Sequence, residues 1–591
     1  MNGRRTGAGR VAASLVLSLV GCVTVGCVSV PTSSSIEEGR AVGVQDDPQH
    51  VTNDPPGPLP GASPQAIASG FFAAMLAYPQ TVTTAREFLT SRAAAQWDHG
   101  AGVVVYEGRS FIRTPNGIAV SGEQLGRLDE RGTWTSVKPQ ESTSLAKLRM
   151  VEVDGEWRIT NPPPGLYIDS NYFSNNYGKF SLYFFDPSHK VLAADPVYLV
   201  DDETATTALV ADLVDGPTRS LRRAVETAIP RETTIDVAVS TSSSGVAEVP
   251  LSEEILRLSA DNLQLVAAQL AWTLRQIPDI RSVSVTVDGS QLEIPGFGPT
   301  FGVDQFAGYD PAGITGVRRL FALSPRGLVS LSAAAGVAPV VTAGTLDEQP
   351  VSAAIDADGV RAAFVTEAGR EVMVSALAVG SGVGSADWLR GTSFLRPVWD
   401  LHGVLWAVDS VATGSDIYVA TAARNERLIR APGLSGADIV SFAVSRDGVR
   451  FAAVVRDGDA TRLVISTIER DPRHPASLRL GVPTSVPALT SATDGAELTD
   501  MTSLAWVSPT AVVVLAGGEG ADRHPWQVEV DGSRTADVGQ YLPVVPDSVT
   551  ADANQDQPIA VGAGSQVFLQ EPDLQWVRVG EGTRLRVPFY G

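Results

Sequence analysis

Ile355-Asp-Ala-Asp-Gly-Val-Arg-Ala-Ala-Phe-Val365, Val398-Trp-Asp-Leu-His-Gly-Val-Leu-Trp-Ala407 and Ala443-Val-Ser-Arg-Asp-Gly-Val-Arg-Phe-Ala-Ala453 decide the fold of the C-terminal half of this chain. Each reads as the end of a strand, a tight turn closed by glycine, and an apolar strand. Gly359, Gly403 and Gly448 lie 44 and 45 residues apart. That period fits one four-stranded blade of a β-propeller, whose sheets bury their faces against their neighbours and leave only short edges. Ala322–Ser330 and Leu504–Val512 carry related units at shorter and longer spacings, so the blades are irregular. Residues 310–591 are therefore expected to form an all-β propeller of five to seven blades.

Upstream, the pattern changes twice. Ser63-Pro64 is a helix start, with Ser as cap and Pro in the first turn. Ile67, Phe71, Met75 and Tyr78 recur at helical spacing up to Pro79, and a second helical segment follows from Thr84. Short strands come next, over 102–106, 118–120 and 147–153. Asp154-Gly155 then turns the chain into Glu156-Trp-Arg-Ile159. Helices followed by a meander resemble an NTF2-like α+β module over 63–165. After Pro162-Pro-Pro-Gly165, strands are expected over 181–185, 192–200, 234–239, 246–250 and 281–287. Helices are expected over 204–214 and 263–277. This order, over 175–300, resembles an α+β GerMN module. The fold class is thus multidomain: two α+β modules, then a propeller.

The N-terminus addresses the chain. Arg4, Arg5 and Arg10 precede the apolar run Val11–Val25, and Gly26-Cys27 meets a Pro/Ser/Thr-rich stretch. A charged start, a short apolar core and a small residue before cysteine mark a lipoprotein signal peptide, residues 1–26. The apolar run is short for a membrane span, which takes about 20 residues. Cys27 is the expected lipidation site, since no free thiol then survives. Cys22, after Leu19-Val20-Gly21, is the alternative and would leave Cys27 unpaired. Residues 27–62, with Asp54-Pro-Pro-Gly-Pro58, read as a flexible tether.

Charge and composition narrow the function. The net charge of −21 disfavours nucleic acid and anionic headgroups as docking surfaces, which leaves the membrane work to the lipid. Ser144-Leu-Ala-Lys147 has the Ser-x-x-Lys spacing of penicillin-interacting enzymes, but leads into a strand and lacks the companion motifs. Gly380-Ser-Gly-Val-Gly384 has the wrong spacing for a dinucleotide loop. His50, His99, His189, His402, His474 and His524 are scattered, and no cysteine cluster exists for zinc. Asp356 and Asp358 are calcium candidates that read better as turn residues. Trp97, Trp157, Trp272, Trp399 and Trp406 lie in apolar periodic runs and read as core. No catalytic residue, metal or cofactor is expected.

The full order of segments resembles the LpqB family of actinobacterial lipoproteins. The matching stretches are Gly26-Cys-Val-Ser-Val-Pro-Thr-Ser33, Ala85-Arg-Glu-Phe-Leu-Thr90 with Trp97-Asp98, Asp154–Ile159, Leu182–Pro187, Ala268–Leu274 and Ser445-Arg-Asp-Gly448. The family pattern puts the lipidated cysteine just before Ser-Val-Pro, which supports Cys27. Thr24, where the family usually has an aliphatic residue, keeps Cys22 open. The resemblance implies a non-enzymatic, lipid-anchored protein on the extracytoplasmic face of the cell membrane. Its implied partner is the extracytoplasmic part of a sensor histidine kinase of the MtrB type, in a two-component system (MtrA–MtrB) bearing on cell division and envelope homeostasis. The competing expectation is a carbohydrate- or peptidoglycan-binding envelope protein, since propeller and GerMN-like surfaces both hold ligands.

Overall fold

The computed structural model describes residues 53–591, apart from 138–142, 236, 314–318, 333–335, 343–348, 378–385, 472, 488, 491–495, 519–520 and 555–556. The expected signal peptide, Cys22, Cys27, His50, the tether up to residue 52 and Gly380–Gly384 lie outside the described residues.

The end of the expected tether is already attached to the first module: Asn53 pairs with Tyr78 and Gly61 N–H donates to Glu156, so residues 53–62 are not free linker. Ser63 Oγ accepts the Ala66 N–H at 3.2 Å, Pro64 occupies the first turn, and the helix runs Pro64–Ala74. Its Ile67, Phe71 and Phe72 are fully buried. Phe72 meets Tyr106, Phe111 and Tyr167 edge-on, with ring centroids 5.6 to 6.3 Å apart. Short helices follow at Thr83–Glu87 and Ser91–Gln96. They cover a sheet ordered Glu156–Ile159, Thr143–Val153, Gly117–Leu128, Val103–Thr114, Leu166–Asp169. The last of these pairs parallel to Val103–Thr114. The sheet therefore reaches past residue 165: the proline run returns the chain to its edge, where hydrophobic pattern alone showed only a break.

The second module is built on the long antiparallel pair Tyr177–Phe185 and Leu192–Val200. Helix Ala205–Val214 follows, and strands Val246–Pro250 and Ser282–Val287 then pair in parallel across helix Ala260–Leu274. A parallel pair needs such a crossover. Gln269 is fully buried inside it, accepting from Ala228 N–H at 2.7 Å and donating to Tyr183 C=O at 2.8 Å. The strand expected over 234–239 does not form. Thr234 N–H goes to Ser252 Oγ, Val239 N–H goes to Thr207 Oγ1, and Val237 is exposed. Side-chain acceptors there replace a ladder.

The rest is a six-bladed propeller, five of its sheets four-stranded and the fourth blade carrying a fifth short strand. Blades two to six begin with the strands Ser352–Ile355, Val398–Trp399, Asp438–Val444, Asp500–Ser508 and Ser548–Thr550. The ring closes through the C-terminal strand Arg586–Tyr590, which pairs with Leu320–Ser324 and supplies the first blade's inner strand. Phe321 and Phe589 stack across that closure at 5.7 Å. The six inner strands contact one another around a closed ring. The recurrent turns do what their sequence promised. The N–H of Gly359, Gly403 and Gly448 returns to the C=O of Asp356, Asp400 and Ser445, and each glycine sits at φ near +70°, where a Cβ is strained.

Candidate functional site

The turns that join first to second strands in blades three to five form one face of the propeller, and the second module docks on it. His402 Nε2 lies 3.4 Å from Asp186 Oδ2, both almost fully buried. Arg450 donates to Ala194 C=O at 2.5 Å and lies 3.5 Å from Asp447. Lys179 reaches Thr510 Oγ1 at 2.9 Å and pairs with Glu529. Val449 of the fourth blade belongs to the second module's own apolar core. Burial pushes the Asp186 carboxyl up, but His402, Ser188 and the Val191 N–H outweigh it and hold the pKa at about 2. Its folded value lies below the ordinary 3.8, so its contribution to docking is present above pH 3.8 and is lost as pH falls through 2.

The first module is held in turn. Arg131 donates to the C=O of Asp212 and Gly216 at 2.6 and 2.5 Å and faces the Asp212 carboxylate at 3.6 Å. Tyr198 N–H donates to Gly132 C=O, and the Tyr198 hydroxyl meets Ser533 of the fifth blade. Ser136 Oγ donates to Asp531 C=O at 2.9 Å. All three modules thus meet near one point. Trp134, Phe173 and Tyr198 pack there.

Asp212 is the titratable group of that joint. Burial raises its pKa to about 7, against the lowering pull of Arg131. A folded pKa above the ordinary 3.8 stabilises the fold below that value, and the stability is lost as pH rises through 7. Asp212→Asn should therefore melt later than the parent at pH 8, by about 2–3 kcal/mol more than at pH 5. Melting curves of both proteins at the two pH values test this. An equal difference at pH 5 and pH 8 would refute it.

The expected site residues do not converge. Ser144 and Lys147 are exposed on strand Thr143–Val153, away from any helix start. His189 pairs with Glu226, His474 with Asp471, His524 with Asp537, and His99 lies beside Trp97. Among the described residues no group of three or more metal-ligating side chains gathers. Asp356 serves its turn, accepting from Val360 and Arg361 N–H and pairing with Arg361 Nε at 2.8 Å, while Asp358 is exposed. Trp97, Trp272, Trp399 and Trp406 are buried, and Trp157 is half-buried against the first core. The sequence reading missed the docking set Asp186, His402 and Arg450. Only their place on turns could have hinted at it.

Comparison with known proteins gives three domain matches. "Lipoprotein LpqB, N-terminal domain" covers residues 57–174. "Sporulation and spore germination" covers 181–293, and "Lipoprotein LpqB beta-propeller domain" covers 327–591. Lipoprotein LpqB of Thermobifida fusca is 27% identical over 98% of this chain and 99% of its own length. That of Mycobacterium tuberculosis is 29% identical over 74% and 78%. Among solved structures, the first GerMN domain of GerM from Bacillus subtilis is 23% identical, covering 21% of this chain and 97% of its own, at a TM-score of 0.19. TolB from Acinetobacter baumannii is 13% identical, covering 57% and 86%, at 0.35.

Proposed function

This chain belongs to the LpqB family of lipoproteins, and from that membership we propose that it is a lipid-anchored, extracytoplasmic accessory protein of a two-component system. It binds the extracytoplasmic part of a sensor histidine kinase of the MtrB type and tunes the signal that reaches cell division and the envelope. The observation that carries this reading is the joint of the three modules. Each is tied to the others by buried polar contacts, so the chain offers a partner one fixed surface. Preorganisation of that kind lowers the entropy cost of binding. No helix among the described residues is long and apolar enough to cross a membrane, which fits anchoring by lipid.

The test is capture from detergent-solubilised membranes with the full-length lipidated chain, with mass spectrometry of what co-purifies. A sensor kinase should be enriched, and its purified extracytoplasmic domain should bind the chain directly. Cell-wall fragments without any kinase would overturn the proposal in favour of the carbohydrate- or peptidoglycan-binding alternative.

A further inference from the structure

Two inner strands of the propeller are tied to the following one through a serine at the same place, and in the third blade an arginine stands at that place. Four residues before the turn residues Asp356, Asp400, Ser445 and Asp552 stand Ser352, Arg396, Ser441 and Ser548. In the fifth blade the inner strand has a register shift between Trp506 and Ser508, and Ser503 stands five before Ser508. Ser441 Oγ accepts the N–H of Leu504 from the next blade at 3.3 Å, and Ser503 Oγ accepts that of Val549 at 3.1 Å. Each serine thus ties its inner strand to the following one, through the residue after that blade's own serine. In the third blade the corresponding residue is Pro397, which has no N–H to give. The Ser352 hydroxyl, one blade earlier, is buried without a hydrogen-bond partner among the described residues. Arg396 takes the place of the serine.

Arg396 lines two cavities of the channel. One, of about 110 Å³, opens toward the turns on which the second module docks. The other, of about 130 Å³, lies at the opposite mouth. Among the described residues its guanidinium has neither a hydrogen bond nor an ion pair, in a chain of net charge −21. Burial alone lowers its pKa, to about 10. Arg396 is half-buried in the channel, where a cation without a partner can still gain one, and the guanidinium fork matches the two oxygens of a carboxylate. Arg446 and Asp552, of opposite charge, line the first cavity. Around the second, Leu395, Phe442, Leu504, Val549 and Pro588 form apolar walls.

We propose that the propeller channel binds a small monocarboxylate, its two oxygens on the Arg396 guanidinium and a short apolar body in the cavity bounded by Leu395, Phe442 and Val549. One guanidinium balances one negative charge. A phosphate dianion would remain half uncompensated between hydrocarbon walls. The larger cavity has room for about four water-sized groups, which limits the ligand to a few carbons. Ser441, Ser503 and Ser548 are the other polar residues lining that cavity.

The experiment uses the full-length chain in detergent micelles, with sodium butyrate, sodium acetate or inorganic phosphate added at constant ionic strength. Binding is read by saturation-transfer NMR and by melting temperature. Butyrate should bind more tightly than acetate or phosphate and should raise the melting temperature. Arg396→Gln should weaken butyrate at least about tenfold, the size expected for a charge-assisted hydrogen-bond pair. Arg396→Lys, which keeps the charge and loses the fork, should fall between the two. Without ligand, Arg396→Met should melt no lower than the parent, so loss of folding is not the expected cause of lost binding. The proposal is overturned if butyrate does not bind the parent, if Arg396→Gln binds it equally well, or if phosphate binds more tightly.

Discussion

Replacing Arg450 with methionine should lower the unfolding free energy by about 3–5 kcal/mol, the usual loss when one partner of a buried ion pair is removed. Arg450 lies at the joint of the second module and the propeller. Its guanidinium holds the Ala194 C=O at 2.5 Å and faces Asp447, whose side chain is fully buried. Burial pushes the Asp447 carboxyl up, and Arg450 is the largest influence opposing it. Methionine fills similar space but leaves the carboxylate without its cation and the carbonyl without its donor. The double change Asp447→Asn, Arg450→Met should recover a large part of the loss, because the stranded charge has gone. Denaturation of the three proteins measures this, with amide exchange over Leu192–Val200 reporting whether the joint opens first. A single variant within about 1 kcal/mol of the parent would show that the pair contributes little, as exposed pairs do.

The propeller was legible because its turns repeat a chemical requirement. A side chain must accept the turn N–H groups, and a glycine must take a positive φ. The fifth blade, with Ser508-Pro-Thr510 and no glycine at its turn, was still recognised from its flanking apolar strands. The sixth blade turns at Asp552 without such a glycine and went unnoticed. The Ala322–Ser330 unit was read as equivalent to the others, yet it joins the second and third strands of its blade, because the C-terminal strand supplies the first. That is why Gly327 lies only 32 residues before Gly359. The longer gap after Gly448 holds the extended strand Ala460–Asp471 and the extra pairing of Thr484–Ser485. The docking contacts were invisible for another reason. Asp186 and His402, or Ala194 and Arg450, lie more than 200 residues apart, and no local periodicity encodes such pairs. Arg396 could have been found by aligning the blades residue by residue, as the only arginine at a position otherwise held by serine in blades two to six.

The proposed lipid anchor carries an all-or-none prediction. With Cys22 and Cys27 both changed to alanine, the chain should leave the membrane fraction and appear in the medium. Each buried CH₂ of an acyl chain contributes about 0.8 kcal/mol, so a diacylglycerol anchors stably where a single chain does not. Nothing else described in the chain replaces it. Its net charge of −21 is repelled by anionic headgroups, and no described helix could span the bilayer. The single variants assign the site. Cys27→Ala alone should release the chain, and Cys22→Ala should leave it anchored. Mass spectrometry of the mature N-terminal peptide reads the same assignment directly, since cleavage precedes the lipidated cysteine. A peptide starting at Cys22 would reverse the choice. A double variant that stays with the membranes through a high-salt wash would instead mean that a protein contact outweighs the lipid. The kinase capture would then have to be repeated with that variant to find the residues that hold it.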